Sequence, residues 1–395
     1  MIADEEERQA GERMPAEMRW IGAWTNGLVT VDQCKFNNQT IRLIARVSLP
    51  AKRLRLRLSN AFGLQKLAIG AVHLGLRDGK SERILAGSDR RVRFGGENGV
   101  VIPVGALMVS DPVDLDVPAL ADLAVSIHIP GEVPESFPIT GHGNCHQTNY
   151  ISPPGDFTAS LAMPVEATTE NWYFLSAIEV LAPAETGGIV CFGDSLTEGN
   201  LSSLDSNIRW PDQLARRLAA RRGRAFGVMN QGIGGNRILH EMRGESALRR
   251  FDRDALAQPG ATHVIVFIGT NDLRNQRGNP AEVVTAEQMI AGLKQFALRA
   301  RAKGLVIYGA TLLPYENETY HPGAWTPQGE EKRQAINEWI RTGNAFDAVI
   351  DFERALRDPA HPSSMLPAYD CGDHLHPSDH GYRQMGDAID LGLFG

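Results

Sequence analysis

The sequence predicts an α/β chain in two parts. An antiparallel, jelly-roll-like β-sandwich spans residues 1–185, and a doubly wound parallel sheet spans residues 186–395. Three observations carry this. The chain has 395 residues, more than twice the length of a typical single domain. Before residue 185, apolar residues recur with period two, and no helical pattern interrupts them. After it, apolar strands alternate with amphipathic helices, the rhythm of a parallel sheet covered on both faces.

In the first part, Ile41, Leu43, Ala45 and Val47 alternate with Arg42, Ile44, Arg46 and Ser48. Residues 53–58 read Arg-Leu-Arg-Leu-Arg-Leu, with one face apolar and one cationic; the arginine face is expected to be solvated. Residues 123–129 continue the pattern. Many short strands without crossover helices fit a sandwich. In the second part the predicted strands are 188–192, 226–229, 263–268, 305–309 and 348–350. One helix starts at Pro211, carries Leu214 and Leu218, and ends near Gly223. Another opens on the capping box Thr285-Ala286-Glu287-Gln288 and buries Met289, Leu293, Phe296 and Ala300. A last helix follows Ser378 and carries Tyr382, Met385 and Ile389.

Composition narrows the function classes. Hydrophobic residues at 43% and charged residues at 22% exclude a disordered or fibrous chain. A net charge of −7 argues against a nucleic-acid partner. No apolar run approaches the roughly 18 residues of a membrane helix, so no membrane association is expected. The acidic start (Asp4, Glu5, Glu6, Glu7) is not a signal peptide, and the cytoplasm is the expected location, with a trimmed leader as the alternative. Cys34, Cys145, Cys191 and Cys371 lie far apart with no C-x-x-C pair, which disfavours a zinc finger or disulfide framework. Cys191, on a buried strand, reads as core.

In a doubly wound sheet, ligands bind beyond the carboxyl ends of the strands. Four polar clusters fall there. Gly193-Asp194-Ser195-Leu196 follows the first strand, where a serine entering a turn can project its hydroxyl, or simply cap a helix. Residues 230–237, which include Gly232, Gly234, Gly235, Asn236 and Arg237, follow the second strand and can aim backbone amides at a ligand. Gly269-Thr270-Asn271-Asp272 follows the third and offers a side-chain amide to an oxyanion, or an ordinary turn. Asp373-His374-Leu375-His376-Pro377 precedes the last helix; a tight turn there lets Asp373 orient His376, the acid–base half of a serine triad.

Together these clusters resemble the four blocks of the SGNH (GDSL) hydrolase family of serine esterases, matched in order across residues 187–395. The resemblance implies a flavodoxin-like sheet with Ser195 as nucleophile and Asp373 and His376 as its triad partners. It also implies an oxyanion hole from the amides of Ser195 and Gly235 and the side chain of Asn271, and no metal or organic cofactor. His374 stands where Gly or Ser is more usual, so two histidines compete for the base; the D-x-x-H-P spacing selects His376. Around residues 58–63 and 110–113 the first part is similar to the N-terminal region of two-domain members. An ordinary α/β-hydrolase is disfavoured, because Thr197 occupies the final glycine of G-x-S-x-G.

The implied substrates are short-chain, acetyl-type esters, with O-acetylated carbohydrate as the first expectation. A lipase, polyester or aryl-ester hydrolase of the same mechanism is the alternative. Asp194, Arg237, Tyr315 and Trp325 are candidate substrate-binding residues; the last two lie in the aromatic loop 314–327 with Tyr320 and His321. The loops 200–207 and 274–279 are polar and suit no long acyl chain. A metal-dependent hydrolase using Asp373, His374, His376, Asp379 and His380 would leave Ser195, Gly235 and Asn271 unexplained. His142, Cys145 and His146 lack a fourth ligand and read as a turn packed on the second part. A carbohydrate-binding protein is the reading from another class, and the intact polar clusters argue against it.

Overall fold

The computed structural model describes residues 17–31, 35–274 and 279–395. The acidic start at Asp4–Glu7 in the expectation above, Cys34 and most of loop 274–279 lie outside them. The N-terminal region is antiparallel β. One sheet sets Leu175–Pro183 between Met18–Thr25 and Ala51–Ser59, and Val113–Val117 extends it. A second sheet of six strands is built around Phe36–Arg46 and Asp122–Val133. Leu54, Leu56 and Leu58 from the first and Leu43, Val125 and Ile127 from the second fill one core.

Period two is visible in the exposure of Ala51–Ser59, but its arginine face is not simply solvated. Arg55 and Arg57 both pair with the fully buried Glu179 of the neighbouring strand, and Arg55 also lies over the Trp20 ring. The outer face of Phe36–Arg46 is covered as well. Arg42 is fully buried, donating to Ser126 Oγ and to the carbonyls of Glu82 and Ser160. Arg42, Arg55 and Arg57 each find polar partners locally, which is what burial of an ion requires.

The C-terminal region holds a parallel five-stranded sheet of Gly187–Gly193, Phe226–Gly232, Ala261–Phe267, Val306–Ala310 and Ala348–Ile350. In chain order these stand 2-1-3-4-5, the flavodoxin-like arrangement. Helices cover both faces and give two cores, one centred on Phe192, Phe251 and Phe296, the other on Trp210, Phe267 and Phe352. The helix Trp210–Ala220 carries proline in its first turn, Ala286–Ala302 starts at the Thr285 capping box, and Asp379–Ala388 is capped by Ser378. The first and third strands, where the order reverses, are the switch point at which such sheets bind ligands.

Pairing changes from antiparallel to parallel between Leu175–Pro183 and Gly187–Gly193. The two regions meet along Met18–Thr25 and Phe226–Gly232. Val228 N–H donates to Ser48 Oγ, Gln231 donates to Thr25 Oγ1, and Gly22 N–H donates to the Pro259 carbonyl. The approach is close enough that a Cβ on Gly227 would lie 2.1 Å from the Gly22 carbonyl oxygen. A fragment of residues 186–395 exposes this seam, so we expect it to aggregate or melt well below the full chain. Soluble expression and thermal unfolding check this; a fragment as stable and active as the full chain would make the N-terminal region an independent module.

Candidate active site

The end of the first strand sets the site. Gly193 must be glycine, since a Cβ there would meet Thr197 Oγ1 at 2.2 Å and the Phe267 carbonyl at 2.4 Å. Asp194 then caps the short helix Ser195–Glu198 by accepting from Leu196 N–H. This places Ser195 at the first helical position, lining a cavity that Asn271 and His376 also line. The turn before the last helix supplies the facing group. Asp373 Oδ1 accepts from the N–H groups of Leu375 and His376, and its Oδ2 accepts from His376 Nδ1 at 2.6 Å.

A carboxylate only accepts, so Nδ1 carries the proton and Nε2 is the acceptor. Nε2 stands 3.0 Å from Ser195 Oγ and 3.3 Å from Asn200 Nδ2. Burial works against ionisation of Asp373, but the hydrogen bonds from His376, its charge and the two amides outweigh it and hold the carboxyl well below the usual range. His374 is turned away. It has a left-handed backbone and binds Asp370 through Nδ1 at 2.6 Å, half-exposed.

Ser195, Gly235 and Asn271 line one cavity. Among the described residues, the N–H groups of Ser195 and Gly235 have no acceptor. Gly235 adopts φ +72°, a conformation glycine reaches without steric cost. Asn271 lines the same cavity, its Nδ2 steadied by Asp194 Oδ2 at 3.3 Å and the Asn236 carbonyl at 3.2 Å. Arg250, fully buried, ties these strand ends together by donating to the carbonyls of Gly193 and Gln231 and to Asn236 Oδ1.

The structure does not place the four candidate substrate-binding residues in the cavity wall. Asp194 is 1% exposed, with both oxygens committed to Leu196 and Asn271. Arg237 is equally buried and turned to Glu282 at 2.5 Å. Tyr315 packs in the core, where burial raises its phenol far above the ordinary value, and Trp325 packs against the same core. The wall is made instead by Tyr320 and His321 from the tip of that loop, with Asn200, Met242 and Arg274. Arg274 forms a buried ion pair with Glu318 at 2.8 Å, and Thr319 N–H donates to the Asp373 carbonyl; both pin the loop beside His376. Tyr320 meets the His376 ring edge-on at 5.7 Å.

Sequence reasoning also missed Glu198 and the reach of the N-terminal region. Glu198 lines the cavity and accepts from Gly234 N–H at 2.9 Å, next to Gly235. His142 crosses the seam to it. Its Nδ1–H donates to the Gly27 carbonyl at 2.6 Å, which leaves a lone pair on Nε2, 3.4 Å from Glu198 Oε1. That contact is favourable when Glu198 holds a proton. Burial pushes Glu198 up to about 7 and His142 down to about 4, consistent with a neutral pair. Cys145 donates to the Gln147 carbonyl and does not join His142 in a ligand cluster. No spacing signal in the sequence links residues 142 and 198, which meet only through the tertiary fold.

Residues 191–384 match the model of the GDSL-like Lipase/Acylhydrolase family. No curated protein matches the chain. Among solved structures it is similar to a carbohydrate acetylesterase from Sinorhizobium meliloti, at 15% identity over 53% of this chain and 100% of that one, TM-score 0.41. It is similar to the aryl esterase of M. smegmatis, at 18% identity over 51% and 96%, TM-score 0.40. It is also similar to a mutant of an acetyl-xylooligosaccharide esterase from Geobacillus Stearmophilus, at 19% identity over 52% and 94%, TM-score 0.39. The C-terminal part of the chain is a GDSL-type acylhydrolase domain with the SGNH hydrolase fold. The protein is a carboxylic ester hydrolase.

The raised value at Glu198 has a stability consequence. An acid at about 7 when folded and near 4.5 when unfolded contributes stability that is complete below pH 4.5 and lost as pH rises through 7. Arg243, Arg209, Asp194 and His142 face the same carboxyl, and Gln in its place mimics the protonated form. We expect Glu198→Gln to match wild type near pH 5 and to gain in relative melting temperature by pH 8. A difference that stays flat with pH would contradict a protonated Glu198.

Proposed function

We propose that the protein is a serine esterase of short-chain, acetyl-type esters. The observation that carries this reading is His376, with Nε2 3.0 Å from Ser195 Oγ while Nδ1 is held by Asp373. Ser195 Oγ attacks the ester carbonyl as His376 Nε2 takes its proton. The tetrahedral oxyanion sits among the amides of Ser195 and Gly235 and the Asn271 side chain; donors of this kind are worth roughly 3–4 kcal/mol each in the transition state. The protonated imidazole, stabilised by Asp373, gives its proton to the leaving alcohol and leaves an acyl group on Ser195. Water activated by the same Nε2 then releases the acid. The chain's own residues supply every proton transfer in this scheme.

The short-acyl preference follows from the cavity wall. Asn200, Arg274, His321 and Arg243 are polar or charged. Each methylene of a long acyl chain contributes about 0.8 kcal/mol only where water is excluded.

Ser195→Ala should abolish hydrolysis of 4-nitrophenyl acetate with folding intact, and a fluorophosphonate should label Ser195 alone. His376→Ala should lose nearly as much as the serine variant, since such residues act as a unit. His374→Ala should be mild; the reverse order would move the base to His374. Chelator should leave the rate unchanged. Across acyl lengths, kcat/KM should fall from acetyl and propionyl to octanoyl esters, and a steady rise would point to a lipase or polyester hydrolase.

A further inference from the structure

Residues 142–148 of the N-terminal region dock on the stretch that follows the Ser195–Glu198 helix. Thr148 donates from its N–H to Asp205 Oδ1 and from its Oγ1 to Asp205 Oδ2, both at 2.7 Å. Asp205 N–H donates back to the His146 carbonyl at 3.1 Å. His142 opens this segment. Its ring stacks on Trp172 with centroids 5.8 Å apart, and the Gly27 carbonyl holds its Nδ1–H at 2.6 Å. Nε2 then has one direction to point, and Glu198 Oε1 lies there at 3.4 Å.

We propose that His142 is a positioning residue for ester hydrolysis: through the Glu198 carboxyl it holds the Gly234–Gly235 loop in register with Ser195. The inference rests on the esterase reading, in which the Gly235 N–H is an oxyanion donor.

Glu198 is the link because it ends the short helix that Ser195 begins. From there its Oε1 accepts from Gly234 N–H at 2.9 Å. Helix and loop already touch, since a Cβ on Gly232 would lie 2.1 Å from the Glu198 backbone nitrogen. The carboxyl itself has few anchors. Its Oε2 is buried and, among the described residues, has no hydrogen-bond partner. Oε1 therefore carries the orientation, between the Gly234 amide and the His142 imidazole. Without the imidazole the carboxyl is free to turn, and the amide it releases is one residue from the proposed donor. Placement of such a donor matters steeply. A misplacement of about 1 Å can cost about a hundredfold in rate. Outright loss of one oxyanion donor costs about 100- to 1,000-fold in kcat. Losses of this kind fall on the transition state and spare ground-state binding.

The test uses the full chain and 4-nitrophenyl acetate. His142→Asn keeps a donor for the Gly27 carbonyl and removes Nε2, whereas His142→Gln keeps a group that reaches Glu198. The proposal predicts that His142→Asn lowers kcat about tenfold or more with KM within about twofold, and that His142→Gln restores most of the loss. Affinity for a trifluoromethyl ketone, whose carbonyl oxygen becomes the oxyanion when Ser195 Oγ adds to it, should weaken by the factor lost in kcat/KM. Glu198→Ala should lose as much as His142→Asn, and the double variant no more than either, because the two residues act in series. His142→Phe, which keeps a ring on Trp172, repeats the comparison if the asparagine variant is unstable. Wild-type kcat in the Asn and Phe variants, a loss confined to KM, an unchanged ketone affinity, or losses that multiply in the double variant overturns the proposal and leaves the esterase reading standing. A wild-type chain that does not turn over the ester overturns that reading and this proposal with it.

Discussion

Asp373 accepts four hydrogen bonds within its own turn, two from backbone amides, one from the imidazole of His376 and one from Cys371 Sγ. Those amide bonds leave the carboxylate no freedom to leave the ring, and the ring then has one orientation that reaches Ser195. Everything else at the site is arranged to meet that orientation. The Asp194 cap sets the serine at the helix start. The Thr319 and Tyr320 contacts press the aromatic loop onto the turn. Arg250 fixes the strand ends from which the serine and the glycine loop emerge.

The N-terminal region belongs to the same arrangement. Its strand Met18–Thr25 lies along the edge strand Phe226–Gly232, and the strand Ile139–His142 brings His142 to Glu198. Glu198 in turn holds the amide next to Gly235. The Gly234–Gly235 loop is therefore buttressed from across the seam. Residues of the sandwich, Thr30 and Asn171 among them, also line an opening beyond Met242 and Arg243.

Much of this was legible in the sequence, for identifiable reasons. The parallel strands are continuous apolar runs, the helices carry their caps, and the polar clusters follow strand ends, where topology gathers them. Ser195, Asn271, Asp373 and His376 stand out in the sequence because each sits within a few residues of a strand end or helix start, and the structure brings Ser195, Asn271 and His376 to one cavity with Asp373 on His376. The misses are contacts between distant segments. Glu198 and His142 share no spacing, and Arg250 looks like any surface helix arginine until the strand ends close around it. Tyr315 and Trp325 were placed in the site because their loop is there, but a loop has an inside. Tyr315 leaves the fourth strand into the core, and only the tip at Tyr320 and His321 faces His376. Arg42 and Arg55 show the same limit in the sandwich, where alternation predicts a face but not what covers it.

The central claim is that Ser195 carries the acyl group between the two halves of the reaction. Acid-quenching the full-length enzyme during turnover of 4-nitrophenyl acetate, followed by peptide mass spectrometry, tests it directly. The account predicts one acetyl group, on the peptide containing Ser195 and on that residue, decaying as substrate is exhausted. Turnover with no acetylated peptide under quench conditions that preserve a serine ester, or acetyl transfer to another residue that decays at the turnover rate, would contradict it.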